Sequence, residues 1–161
     1  MSVPLSTIKS ALKIDYADDD TDLIRLREAA SQLVERRTQI RLAPVKDTLY
    51  LADWTDTMFP VHPFVGVVSV NYTNSAGGAV VVPATDYWVD RTQGPIPVLR
   101  FLERPAIKEG TAILVEYNVG FDAVPDPLVH AIIAIVGAWY NNPEAFQPIG
   151  LQTVPMSVDH I

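Results

Sequence analysis

The stretch from Asp126 to Asn142, DPLVHAIIAIVGAWYNN, constrains this chain more than any other. Asp126 has the side chain of a helix N-cap, and Pro127 suits the first helical position, where its missing N–H costs nothing. Asn141, Asn142 and Pro143 supply the stop signal. Between these signals nearly every side chain is apolar, and a helix apolar all round is normally buried. The exception is a line of small or polar residues at helical spacing, His130, Ala134, Gly137 and Asn141, suited to close packing against another backbone. The helix would be about 24 Å long. Its unbroken apolar part is shorter than the roughly 20 residues a membrane span needs. The expectation is a buried core helix.

Two helices are expected ahead of it. Ser6 can cap a short one reaching about Lys13, with Ile8, Ala11 and Leu12 on one side. The second runs from about Asp20 to Ile40. Leu23, Leu26, Ala30, Leu33 and Val34 form its apolar stripe, and Arg36 and Arg37 suit the negative end of its dipole. Its expected partner is the Asp126–Asn142 helix. Between the two helices lies an acidic run, Asp15, Asp18, Asp19, Asp20 and Asp22. The alternate spacing resembles a calcium loop, but Leu23 stands where the loop needs glycine and Ala29 where it needs glutamate. The run therefore reads as capping and dipole-complementing carboxylates.

From Leu42 to Gly120 the pattern turns to short β segments broken by turn residues. Six strands are expected: Thr48–Ala52, Gly66–Tyr72, Ala79–Val82, Asp86–Asp90, Pro97–Leu102 and Thr111–Tyr117. Val68, Val70 and Tyr72 are expected on one face, as are Ile113, Val115 and Tyr117. Asn74-Ser75-Ala76-Gly77-Gly78 reads as a hairpin turn. The fold class is α+β: two N-terminal helices and a buried C-terminal helix form a small core, with an inserted antiparallel β region at about 45–118. Residues 1–145 make one domain and 146–161 an extended C-terminal arm.

The arm carries Phe146, Ile149, Leu151, Val154, Met156, Val158 and Ile161 without helical or strand period. Ordering its backbone at about 1–2 kcal/mol per residue exceeds what burying those side chains returns. It is expected to order on a partner, the alternative being an arm laid back over its own domain.

Chemistry-bearing patterns are sparse. A net charge of −7 opposes a surface that grips nucleic-acid phosphates, though not one that DNA slides past. The chain contains no cysteine, so it has neither disulfides nor a thiol nucleophile. His62, His130 and His160 are scattered, with no second ligand at metal-binding spacing. His130 reads as a satisfied, partly buried histidine. Neither a GxSxG elbow nor a P-loop occurs, and Gly77-Gly78 sits in a hairpin rather than before a helix. The aromatics Tyr72, Tyr87, Trp88, Tyr117, Trp139 and Tyr140 read as core or interface packing. No catalytic residue, metal or cofactor is assigned. The first residues lack the long apolar region of a signal peptide, so a cytoplasmic origin is expected.

Three segments carry a family likeness: ALKIDYADDDTDLIRLREAASQLVERRT, then PVHPFVGVVSVNYTNSAGG with DYWVD, then VEYNVGFDAVPDPLVHAIIAIVGAWYNNPEA. Over about Leu5 to Ala145 the sequence resembles the head–tail connector proteins (adaptor, or head-completion, proteins) of tailed bacteriophages and gene transfer agents. It departs from the family pattern at Asn141–Pro143, so no charge contact is carried over there. The resemblance implies a non-enzymatic virion protein at the head–tail junction, assembled in the host cytoplasm. It implies a homo-oligomeric ring, usually a dodecamer, beneath the portal protein. That ring extends the DNA channel without specific DNA binding and offers a platform for the next tail-side connector or tail-terminator protein. No membrane is involved. By the same resemblance, Phe146, Ile149, Leu151, Val154, Met156 and Ile161 are assigned to portal or neighbour contacts.

Two other readings stand beside this one. One is a different phage ring, tail-terminator-like or a minor tail subunit. The other is a small enzyme or ligand-binding domain with its site in the β insertion, which a deep polar pocket with convergent carboxylates would mark.

Overall fold

A computed structural model of the protein describes residues 3–92, 94 and 96–142. The architecture is α+β with antiparallel sheets. Helix α1 spans Leu5–Leu12 and α2 spans Asp20–Thr38. Seven strands follow: β1 Val45–Leu51, β2 Thr57–Met58, β3 Phe64–Thr73, β4 Ala79–Val81, β5 Tyr87–Asp90, β6 Val98–Phe101 and β7 Ile113–Val119. Helix α3, Asp126–Asn141, comes last. Two buried clusters result, one helical and one between sheets.

The helical cluster joins Ile8 of α1, Leu23, Leu26, Ala30 and Val34 of α2, and Ile132 and Val136 of α3, so α2 packs on α3 as its stripe requires. The caps differ from expectation. Backbone rather than side chains begins each helix: the Pro4 carbonyl accepts from Thr7 and Ile8, and the Pro125 carbonyl from Leu128 and Val129. Ser6 and Asp126 lie inside their helices, and neither caps one. Asp19 precedes α2 without capping it, because its carboxylate is taken up by Tyr140; Asp20 and Asp22 do occupy the first turn. Helix α2 stops at Thr38 because Gln39 adopts φ 57°, a left-handed C-cap.

The β unit consists of a four-stranded sheet in the order β1-β7-β3-β4 and a three-stranded sheet in the order β2-β6-β5. All named pairings are antiparallel. Strand β7 alternates as its sequence predicts: Ile113, Val115, Tyr117 and Val119 are buried, and Leu114, Glu116 and Asn118 face outward. Strand β3 does not. Register shifts at Phe64/Gly66 and Val67/Ser69 break its period, so Phe64, Val67, Val70 and Tyr72 pack on the core while Val68 is exposed. The two-residue β2 is too short to show as a periodic pattern. The 74–78 turn forms as expected, with Asn74 and Gly78 paired and Gly77 at φ 87°.

Helical and β parts are joined where α2 ends. Arg41 N–H donates to the His62 carbonyl at 2.7 Å, and His62 N–H to the Gln39 carbonyl at 2.9 Å. Gly120 N–H donates to the Pro63 carbonyl, and Leu42 N–H to the Glu35 carboxylate. Leu42 belongs to the helical cluster, whereas Val119 belongs to the sheet cluster. The junction thus links the helical cluster to the sheet cluster by backbone hydrogen bonds.

Candidate functional site

Among the described residues no group of three or more His, Cys, Asp or Glu side chains could hold a metal ion. Nor is any helix of the described residues long and apolar enough to cross a membrane.

The outer face of the small sheet carries the densest charged network. The pairing of β5 with β6 sets Trp88 opposite Arg100, so both side chains leave the sheet on the same side. The Arg100 guanidinium lies 5.7 Å from the Trp88 ring centroid, donates from Nε to Asp90 at 3.1 Å, and donates from Nη1 to Asp56 at 2.9 Å. Arg104 reaches the other oxygen of Asp56. Asp90, only 3% exposed, also accepts from the hydroxyl and N–H of Thr92. Those Thr92 bonds, with Arg100 behind them, hold its carboxyl below the usual aspartate range. Arg100 is raised in turn, first by its bond to Asp90. Trp88 remains 46% exposed, with Met58 of β2 and Leu102, just past β6, exposed as well. Sequence reasoning saw Trp88 only as packing. The alternation of Trp88 with Asp90 in β5 was its one local signal.

On the large sheet the outward residues form two cross-strand rows. One is polar: Lys46 and Ser69 both donate to Glu116, at 3.1 and 2.9 Å, and these two bonds, Ser69 first, lower the Glu116 pKa. The other is mixed: register places Tyr50, Leu114, Asn71 and Val81 side by side, three apolar side chains and an asparagine that donates to Ser69, with Tyr50 66% exposed. The exposed Tyr50, Leu114 and Val81 of this row suit contact with another protein.

The helical face carries the residues that the sequence singles out. Gly137 is buried, and a Cβ there would lie 2.9 Å from Leu12 Cδ2, so the close approach is between α3 and α1. His130, Ala134 and Asn141 are exposed on this chain. This corrects two expectations: His130 is not partly buried, and α3 buries one side only. Val129, His130 and Ile133 instead wall an open groove with Ser6 and Ser10 of α1. A second groove, of about 580 Å³, runs between α2 and α3; Ala29, Leu33 and Trp139 give its apolar surface, with Gln32, Arg36 and Arg37 beside them. At the start of α2, Tyr140 OH donates to Asp19 at 2.5 Å and bonds Tyr16 OH at 2.9 Å. The bond to Asp19 raises the Tyr140 pKa. Phe146, Ile149, Leu151, Val154, Met156 and Ile161 lie outside the described residues.

Fold and surfaces together define an α+β domain with a three-helix core, a two-sheet antiparallel insertion, and open faces as its candidate sites. The same fold occurs in chains of gene transfer agent particles. One, from the neck of an empty particle computed with C6 symmetry, matches with a TM-score of 0.74 at 20% identity, over 94% of this chain and 82% of that one. A second, from the virion of a native particle, gives 0.73 at 21% identity, over 96% and 84%. A third, from the neck of a native particle computed with C12 symmetry, gives 0.71 at 21% identity, over 96% and 82%. At these identities the likeness is one of fold. No protein-family model matches the sequence, and no curated protein matches it either.

Proposed function

We propose that this chain is a structural protein of the virion neck, a head–tail adaptor. Copies form a ring beneath the portal, extend the DNA channel and present a platform for the next tail-side component. The observation that carries this reading is the likeness over 94–96% of the chain to chains of gene transfer agent particles, in two cases of the neck. The ring is supported by the symmetries of those necks and by the exposed apolar side chains on both sheets, among them Tyr50, Val81, Met58 and Trp88.

In this reading the arm from residue 146 makes the portal or neighbour contacts through Phe146, Ile149, Leu151, Val154, Met156 and Ile161. Each contact is weak alone. Around a ring they add as avidity, because once one arm docks the rest bind as if intramolecular. His130, Ala134 and Asn141, exposed on one chain, meet an adjoining copy. The net charge of −7 suits a wall past which DNA moves without being held.

The test is a chain truncated after Pro148. It should fold as the full chain does, yet fail to add to portal-bearing capsids. Normal incorporation would remove the arm from the mechanism. Co-purification of the full chain with tails rather than with filled heads would replace the adaptor by a tail-end ring.

A further inference from the structure

The two ends of α2 differ in both shape and charge. At its start the loop Asp15–Asp18 is exposed and leaves the flank of Tyr16 open, the residue being 48% exposed. This tyrosine is held in place: its hydroxyl is bonded to Tyr140, and its carbonyl accepts from Lys9 Nζ at 2.6 Å. Among the described residues, Asp15 and Asp18 have no ion-pair partner. Toward the end of α2 lies the α2–α3 groove of about 580 Å³, floored by Ala29, Leu33 and Trp139. Arg36 and Arg37 are exposed beside it and likewise unpaired among the described residues. From Asp20 to Ala29, the groove residue nearest the start of α2, is nine positions, about 14 Å along the helix.

We propose that Tyr16 of one copy seats in the α2–α3 groove of the next copy, with Asp15 and Asp18 meeting Arg36 and Arg37. The occupant is a second copy because the complementary halves sit on the same chain, one negative around an aromatic knob and one positive around an apolar hollow. A tyrosine already fixed by its own hydrogen bonds loses little further freedom on docking. Tyrosine and arginine are also the side chains on which interface energy concentrates. Knob and groove are different patches, so the contact is head-to-tail, the kind that closes into a ring when the rotation permits. The inference rests on the ring reading above and names the surfaces that would build it.

The absence of native cysteine makes the contact directly testable. Chains carrying Ala17→Cys and chains carrying Gln32→Cys, mixed and oxidised, should form the 17–32 disulfide between copies about tenfold more than an Ala17→Cys and Ala79→Cys control pair. Arg36→Glu with Arg37→Glu on the groove copy should lower that yield about tenfold, and Asp15→Arg with Asp18→Arg on the knob copy should restore it. These charges are exposed, so the reversals leave the core intact. A 17–32 yield no higher than the control, or one indifferent to the reversals, overturns the contact. Amine cross-linking of the unsubstituted chain and imaging of the particle report ring formation separately. A closed ring without the 17–32 link overturns this contact alone, whereas copies that never join a ring overturn both readings.

Discussion

Gly120 and Ala43 approach so closely that a Cβ on Gly120 would lie 2.1 Å from the Ala43 carbonyl oxygen. Gly120 also has φ 108°, a conformation that side chains disfavour. The contact lies just past β7 at the junction of the two cores, where Gly120 N–H holds the Pro63 carbonyl. Gly120→Ala should therefore lower the unfolding free energy by about 2–4 kcal/mol, from left-handed strain and backbone overlap together. Urea unfolding of the purified variant measures it. An unchanged midpoint would mean that the junction adjusts freely.

Gly137 presents the opposite case. The atom its Cβ would meet is the tip of the Leu12 side chain, which can swing aside. Alanine gains about 1 kcal/mol of helix propensity over glycine. Gly137→Ala should be neutral or slightly stabilising. Gly137→Leu should cost about 1–3 kcal/mol by pushing α1 off α3. Thermal unfolding of the two variants side by side distinguishes crowding from propensity.

Asp90 should make the protein acid-sensitive. Its folded pKa lies below the ordinary 3.8, so its contribution is complete above that value and fades as pH falls through the lower folded value. Asp90→Asn should be less stable than the parent at pH 7 and should lose less on going from pH 5 to pH 2. Parallel pH profiles would sink the linkage.

Tyr117 should act at the alkaline end. Burial, with the Asp47 charge adding, pushes its hydroxyl from 10.0 up to about 12. A raised folded pKa gives stability that is present below the unfolded value and lost as pH rises toward the folded one. Stability should fall between pH 10 and 12, and Tyr117→Phe should flatten that fall. Denaturant midpoints at pH 9, 10.5 and 11.5 read the difference.

What could be read from the sequence is what neighbours along the chain decide. The alternation Ile113, Val115, Tyr117 gave β7 its faces, the apolar stripe of α2 found α3, and Asn74 to Gly78 closed a hairpin, because period and turn chemistry act within a few residues. Tertiary structure decided the rest. The bulges in β3 send Val68 outward, since register belongs to a pair of strands rather than to one. α3 buries Ile132 and Val136 but exposes His130 and Ala134, because among the described residues α1 and α2 pack on one side of it, and a sequence does not say which side its neighbours take. Asp56, Asp90 and Arg100 converge from separate strands and loops, a juxtaposition that only the folded sheet creates.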